Sequence, residues 1–542
     1  MRLISIAGMF VLLALAWGMS VDRRKVRLRP VAWGLALQFL FAVIILQENN
    51  WSFVGMGLLG LLVVLFVFQQ DIKSAPHGNL HALLLMVGAV ALGNLLVLLG
   101  SAVNLVWIML LIILFLVINT WKLRKAVLSR YLGGALVVTL VASAVAYGQY
   151  GKVIFQSFSE KVADFLNLAY YGAAFLFGNL VNPEYFFPED TSVWPGFGLQ
   201  FAFKILPTII FFGGFMSVLY YLGIMQRLIQ AMSRFMRWTI GTSGAETLSC
   251  SANVFVGQTE APLLIRPFLP DMTTSELLTI MVGGFATIAG GVLAGYIAMG
   301  ISAGHLIAAS VMSAPAALAV GKLIYPETEH SATAGDVELP DIESGSNVIE
   351  AATRGIFDGL KLAVNVGAML IGFIALIAVA DILLNWLDKL IDGTLLNGQL
   401  VQYTAASGFS PVSQEYSGVF PGSLKTLFGS VFRPLAWFMG VSWEYADEVG
   451  NLLGIKISLN EFVAYGTLGT YIQGSILDER AQIIATYALC GFANFSSIGI
   501  QLGGIGAFIP QRRGELSRIA LRAMFGGAIA SWLTATVAGM LL

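Results

Sequence analysis

Charge is scarce in this chain. Of 542 residues only 11% are Asp, Glu, Lys or Arg, while 57% are apolar and the mean hydropathy is +0.80. Soluble domains carry about a quarter charged residues. The composition is that of a helical, polytopic membrane protein with little soluble mass. Neither sign of charge dominates: 30 basic and 31 acidic residues leave a net charge of −1. That balance excludes a protein that holds a nucleic acid polymer by electrostatics. Cysteine is nearly missing, and Cys250 and Cys490 both sit in apolar stretches without CxxC or metal-ligand spacing, so they read as small packing residues. Histidine is as rare, and His77, His81, His305 and His330 form no ligand cluster. No histidine lies near the intramembrane carboxylates in sequence. An intramembrane enzyme needs a nucleophile or an acid–base set, so the chain is not expected to be an enzyme or to need a cofactor beyond a coupling ion.

What the chain has in abundance is long apolar runs. A span needs about 20 mainly apolar residues. By that measure six spans precede residue 150, near 3–20, 30–47, 51–70, 82–101, 105–121 and 131–149. The first is no signal peptide, because its basic cluster follows the apolar core instead of preceding it (Arg23, Arg24, Lys25, Arg27 and Arg29). Short basic loops stay cytoplasmic, so this span runs inward and is retained. Counting on places the basic stretch "WKLRKAVLSR" (121–130) inside, and again Arg227, Arg234 and Arg237 after the span at 200–223. Residues 150–169 instead repeat apolar side chains at helical spacing (Ile154, Phe158, Val162, Phe165, Ala169) opposite Glu160, Lys161 and Asp164, the pattern of a helix lying along the interface. The stretch 179–198 is expected as an external loop and 325–349 as a polar cytoplasmic linker.

The chemistry lies in two stretches of the C-terminal half that echo each other. "GAETLSCSANVFVGQTEAPLLI" (244–265) is followed by "TSELLTIMVGGFATIAGG" (274–291), and "ADEVGNLLGIKISLNEFVAYGTL" (446–468) by "DERAQIIATYALCGFANFSSIG" (478–499). Each begins with an apolar piece too short to cross, a polar tip with one glutamate (Glu260 or Glu461), and a second short piece. Each continues with an acid-capped span interrupted at Gly-Phe-Ala-Thr (284–287) or Gly-Phe-Ala-Asn (491–494). A charge at the centre of a spanning helix costs about 2.5–3.5 kcal/mol. Irregular backbone at that depth is tolerated only where it lines a cavity or is buried in protein. Two re-entrant hairpins and two broken transmembrane helices, entering from opposite sides, make an inverted repeat with a site at the midplane, as in secondary transporters. A glycine-rich stretch such as 290–295 alone would be a packing face, but matched glutamates flanked by Gln, Thr and Asn are not explained by packing.

At these residues the chain resembles the concentrative nucleoside transporters. "NVFVGQTEAPL", "MVGGFATIAGGVLAGY", "NEFVAY" and "ALCGFANFSSIGIQLGGIGAFIPQRR" are similar to that family's signature stretches, with "YLGIMQ" (221–226) and "PLAWFMGV" (434–441) in support. The resemblance covers about residues 130–542. It implies a homotrimer in the plasma membrane, the inner membrane of a bacterium, in which each protomer has a static scaffold and a moving transport domain. It implies that Gln258, Thr259, Glu260 and Val292 hold the nucleobase, that Glu461, Asn494 and Ser497 hold the ribose, and that Phe492 lies against the base. A sodium ion would sit between the side chains of Asn253 and Thr287 and backbone carbonyls near Val256, Thr287 and Ile288. The chemistry is consistent. A carboxylate accepts paired ribose hydroxyls, and freed carbonyls with an amide oxygen and a hydroxyl suit a hard cation. For Asn253 and Thr287 the competing role is helix-end capping.

The implied function is import of nucleosides by symport with sodium through elevator-like alternating access. Proton coupling through the titratable Glu260 and Glu461 is the alternative, and a nucleoside-binding receptor a more distant one. The division expected is 1–130 for N-terminal helices partly extra to the family, 131–237 for scaffold and interfacial helices, and 238–324 for the first repeat. The linker 325–349, a long scaffold helix with its loop at 350–430 and the second repeat at 431–542 complete it. Four of the six early spans are surplus to the bacterial relatives, which precede the interfacial helix with two.

Overall fold

The computed structural model describes residues 1–69, 78–99, 126–186, 201–335, 337, 345–402 and 410–542. The chain is a helical membrane protein: among the described residues seven helices are long and apolar enough to cross a bilayer, eight if a bent pair is counted as one span. Among the described residues the one departure from all-α structure is a short antiparallel pair, Leu400–Gln402 with Gln414–Tyr416, after the longest helix. The span expected at 105–121 and most of the loop at 179–198 lie outside the described residues.

The residues form two compact units. The smaller, Phe39–Phe158, contains Asn50–Val67, Gly78–Leu99 and Ala126–Ala146. Its core is Val64, Phe68, Ala89 and Ala135, with Tyr131, Val137 and Val138 packed against them. Gly151 sits directly against Ile44: its amide donates to Ser52 Oγ at 2.9 Å, and that hydroxyl donates to the Ile44 carbonyl at 3.2 Å. The start and end of this unit are therefore neighbours. Between Ala146 and Gly151 it turns by 106°, where the expected interfacial helix begins, and that helix runs Gly151–Asn167.

The larger unit, Met1–Gln38 with Ser159–Leu542, holds both repeats. Hairpin 1 is Gly244–Ala252 and Glu260–Leu264, and hairpin 2 is Ala446–Ser458 and Glu461–Gln473. The first broken helix is Thr274–Ala286 and Gly290–Ala298, and the second is Glu479–Leu489 and Phe495–Phe508. Local capping fixes these short pieces. Ser243 with Glu246 and Thr273 with Glu276 form capping boxes, and Asn460, Asp478 and Asn494 accept from the first-turn amides of the helices they precede. Such caps are worth about 1 kcal/mol each, which matters for helices too short to be stable alone.

The first break falls at the last residue of the Gly-Phe-Ala-Thr motif. Gly284, Phe285 and Ala286 remain helical, and the helix opens at Thr287, whose φ of −117° and ψ of 163° are extended. A β-branched residue loses rotamer freedom in a helix and is at ease in extended backbone, so Thr287 ends the run. The second break does include its glycine. Gly491 has φ of +109°, which only glycine adopts readily, and an added Cβ there would stand 2.5 Å from the Phe285 carbonyl oxygen. The two unwound segments thus meet back to back.

A second pair of helices borders the hairpins. Phe201–Tyr221 and Val348–Asp388 cross at Gly213, where an added Cβ would stand 2.6 Å from the Gly355 carbonyl, the close approach that small residues permit between membrane helices. The linker expected as cytoplasmic does not hang free at its start. Its residues 325–335 fold onto the base of hairpin 1: Ser331 and Thr333 donate to Glu276 at 2.6 and 2.7 Å, and the Gly244 amide donates to the Thr333 carbonyl at 2.8 Å. Buried Lys322 joins the same base, 2.8 Å from Glu246 and 3.1 Å from Glu327.

Candidate functional site

The hairpin tips and helix breaks carry the polar groups. In hairpin 1 the chain leaves the helix after Ala252 and re-enters at Glu260, so Asn253, Val256, Gln258 and Thr259 all lie on non-helical backbone. Glu260 begins the second piece, and its carboxylate accepts from the Gly257 amide. It borders a cavity of about 470 Å³ with Phe212, Tyr220, Val256 and, from the long helix, Arg354 and Asp358. Thr259 packs on the second broken helix, where a Cβ on Gly504 would meet its Cγ2 at 3.0 Å.

Asn253 is fully buried, and among the described residues neither its Oδ1 nor its Nδ2 has a hydrogen-bond partner. A buried, unpaired amide costs about 1–3 kcal/mol, and a side chain acting as a helix cap would not be left so. The amide lies beside the end of Thr274–Ala286, where an added Cβ on Gly283 would be 3.3 Å from its Nδ2. Thr287 donates its hydroxyl to the Gly283 carbonyl at 2.8 Å. That bond satisfies a carbonyl at the break, as a cap would, yet uses only the proton and leaves both hydroxyl lone pairs for a cation. Thr287 and Ile288 are both outside regular helix. The donor set is one amide oxygen, one hydroxyl and carbonyls, which fits a hard monovalent ion and not a soft metal.

The second cluster centres on Glu461, which is 4% exposed at the tip of hairpin 2. Tyr296 Oη donates to its Oε1 at 3.1 Å, and Asn494 Nδ2 donates to its Oε2 at 3.0 Å. A carboxylate offers about four lone-pair sites, so one on each oxygen stays open to a diol. Asn494 also caps its helix: its Oδ1 accepts from the Ser497 amide at 2.8 Å and from Ser496 Oγ at 2.7 Å. Its oxygen is therefore committed, and only its amide nitrogen can serve a ligand. Ser497 is buried one turn on, and Phe492 is half-buried in the break. Val292 is buried and shares a helix face with Tyr296, four residues later.

Three residues of this region are not among the sequence-derived candidates. Tyr296 is held by ring contacts with Tyr465 (centroids 4.4 Å apart) and Phe462 (4.8 Å), and its spacing from Val292 is the signal that finds it. Gln501 is fully buried and continues the polar stripe of Asn494 and Ser497 at helical spacing. Lys456, fully buried, donates to the carbonyls of Ala488 at 2.9 Å and Cys490 at 3.1 Å, where the second helix unwinds. The cysteines are buried and free, with Cys250 Sγ 3.7 Å from the Thr279 carbonyl, which agrees with a packing role.

Paired hairpins and broken helices in inverted repeats, with polar tips meeting at the breaks, define a secondary-transporter fold. The chain belongs to the Na+-dependent, or concentrative, nucleoside transporter family, whose members are transporters and not enzymes. Family models described as "Na+ dependent nucleoside transporter N-terminus", "Nucleoside recognition" and "Na+ dependent nucleoside transporter C-terminus" match residues 7–54, 202–303 and 305–539. The chain is 43% identical over 406 residues to sodium/nucleoside cotransporter 1 of Rattus norvegicus, across 72% of its own length and 56% of that protein's. It thus spans about half the length of the mammalian relatives it matches. An uncharacterized transporter of Haemophilus influenzae is 41% identical over 424 residues, covering 77% of this chain and 93% of that one. CNTnw solved in an inward-facing substrate-bound state superposes with a TM-score of 0.67 at 31% identity, over 99% of this chain and 98% of the other. A CNTnw variant in an outward-facing state gives 0.70 at 30% identity, over 100% and 97%.

The N-terminal match corrects one expectation. The resemblance does not begin near residue 130 but includes residues 7–54. Helices Arg2–Gly18 and Leu28–Leu46 carry no polar motif, so their kinship is invisible to a reading based on hairpin and break residues.

Proposed function

We propose that this protein imports nucleosides by symport with sodium, through elevator-like alternating access, as a homotrimer in the plasma membrane, the inner membrane if the cell is bacterial. Gln258, Thr259, Glu260 and Val292 take the base with Phe492 against it. Glu461, Asn494 and Ser497 take the ribose, with Tyr296 orienting the carboxylate. Asn253, Thr287 and the carbonyls near Val256, Thr287 and Ile288 take the ion.

The observation that carries this reading is the unpaired amide of Asn253, buried within the same hairpin whose tip bears the base-binding residues. Ion binding would satisfy that amide and order the non-helical stretch from Asn253 to Thr259, so ion and base would each raise the affinity for the other by the same factor. The mammalian relatives are named as sodium/nucleoside cotransporters, which supports the same pairing.

The test is uptake of labelled uridine by proteoliposomes of the purified protein. A sodium gradient should drive accumulation above the equilibrium level. Uptake indifferent to sodium and driven by an acid exterior would replace the ion with a proton at Glu260 or Glu461. Binding without accumulation under either gradient would leave a receptor.

A further inference from the structure

Gln501 reaches from the second broken helix to the first hairpin. Its Nε2 donates to the main-chain carbonyl of Met281 at 3.1 Å and to Gln258 Oε1 at 3.0 Å. Amide orientation follows from the hydrogen-bond network, and here the network has a fixed end. A main-chain carbonyl only accepts, so the face of Gln501 toward Met281 is its nitrogen. The Gln501 oxygen is buried and unpaired. Flipping the amide would not relieve it, since oxygen would then oppose oxygen at Met281. The constraint passes on: with a donor facing it, Gln258 must turn its oxygen inward and offer its two-proton Nε2 to a ligand. Gly284 makes room for this pair, since an added Cβ would stand 2.6 Å from Gln501 Nε2 and 2.9 Å from Gln258 Cβ.

We propose that Gln501 is a specificity-determining residue that acts through Gln258, fixing hairpin 1 to present a donor and so selecting nucleosides whose base carries an oxo group at that edge. Uracil, thymine, guanine and hypoxanthine offer an acceptor there, whereas cytosine and adenine offer an amino donor. The selection is by exocyclic group and cuts across the division between purines and pyrimidines. It rests on the nucleoside-transport reading above.

The test is competition against labelled uridine for binding to the purified full-length protein, with unlabelled uridine, cytidine, inosine and adenosine. A donor facing a donor in a buried site leaves both unsatisfied, so uridine should exceed cytidine, and inosine exceed adenosine, by about tenfold or more. Gln501→Met keeps the volume and removes the clamp. Gln258 can then turn either end to the base, and both ratios should fall to within about threefold while uridine itself still binds. Gln501→Glu, with its carboxyl proton donated to the Met281 carbonyl, accepts from Gln258 in place of donating, and should shift both ratios toward the amino bases. A merely structural role would lower all affinities together and leave the ratios unchanged, which would overturn the proposal. Should neither variant fold, the wild-type series decides: cytidine and adenosine binding as well as their oxo partners overturns it. Absence of binding by any nucleoside overturns the functional reading itself.

Discussion

The hydroxyl of Tyr296 and the carboxylate of Glu461 stand 3.1 Å apart and join the first broken helix to the second hairpin. This bond crosses between the two repeats, so the proposed ribose subsite is not the property of either alone. A hydrogen bond to a charged group is worth about 1.5–3 kcal/mol, or about tenfold to a hundredfold in affinity. Glu461→Gln should therefore weaken nucleoside binding by that range with little change in expression. Tyr296→Phe should weaken it by about tenfold, with deoxynucleosides losing less than ribonucleosides in both. Unchanged half-saturation for uridine uptake by Glu461→Gln would remove Glu461 from the site.

Asn253→Ala and Thr287→Ala should each shift sodium activation to higher concentration. Each removes one side-chain oxygen from the proposed ion. Because Asn253 has no hydrogen-bond partner among the described residues, its loss should cost little stability, whereas Thr287→Ala also frees the Gly283 carbonyl and should lower thermal stability modestly. Sodium titrations of uridine binding, together with melting curves in detergent, separate the two effects. Linkage requires the nucleoside affinity to fall with the ion affinity; sodium activation unchanged in both variants would dismiss the ion site.

Glu276 accepts from Ser331, Thr333 and the Thr273 amide and so straps the start of the linker to the first broken helix. Glu276→Ala should release residues 325–335 and expose them to protease. Limited proteolysis of the purified protein should then cut within this stretch several times faster than in the wild type. An unchanged digestion rate would mean that the remaining ties, the Gly244 amide on the Thr333 carbonyl and Lys322 with Glu327, suffice without Glu276.

The contact of Gly151 with Ile44 makes the intervening residues removable in principle. Deleting residues 50–149 and closing the gap with a short connector should leave a protein of lower total uptake but the same ranking of nucleosides. The result depends on an even number of spans between these points, because only then does every later loop keep its side of the membrane. A changed ranking at normal protein levels would show that this segment reaches the substrate.

The sequence disclosed the machinery better than its surroundings, for a physical reason. Polar residues at bilayer depth are costly, so Gln258, Glu260, Glu461 and Asn494 stand out against apolar neighbours, and the hairpins with them. Tyr296 and Lys456 were hidden because a tyrosine or lysine in an amphipathic-looking stretch carries no mark of its depth; only the fold shows both fully buried. Within Gly-Phe-Ala-Thr (284–287) the helix opens only at Thr287, and Gly284 is the gap that admits Gln258 and Gln501. Helices Arg2–Gly18 and Leu28–Leu46 were legible as spans and not as kin, because lipid-facing leucines are interchangeable among membrane proteins.

Lys456 gives the two repeats different characters. When Gly284–Thr287 is laid on Gly491–Asn494, Met281 and Gly283 correspond to Ala488 and Cys490. In the second repeat those carbonyls accept from the Lys456 Nζ, a donor tied to the chain that no bath can exchange. In the first they face an uncharged amide and a hydroxyl, with the Asn253 amide unpaired nearby. One half of the duplicated architecture thus carries its own tethered donor at the break, while the other leaves a buried amide unpaired there. On the proposed ion site, sensitivity to external cations would enter through the first half, where, among the described residues, no basic side chain of the chain itself fills the place that Lys456 fills in the second.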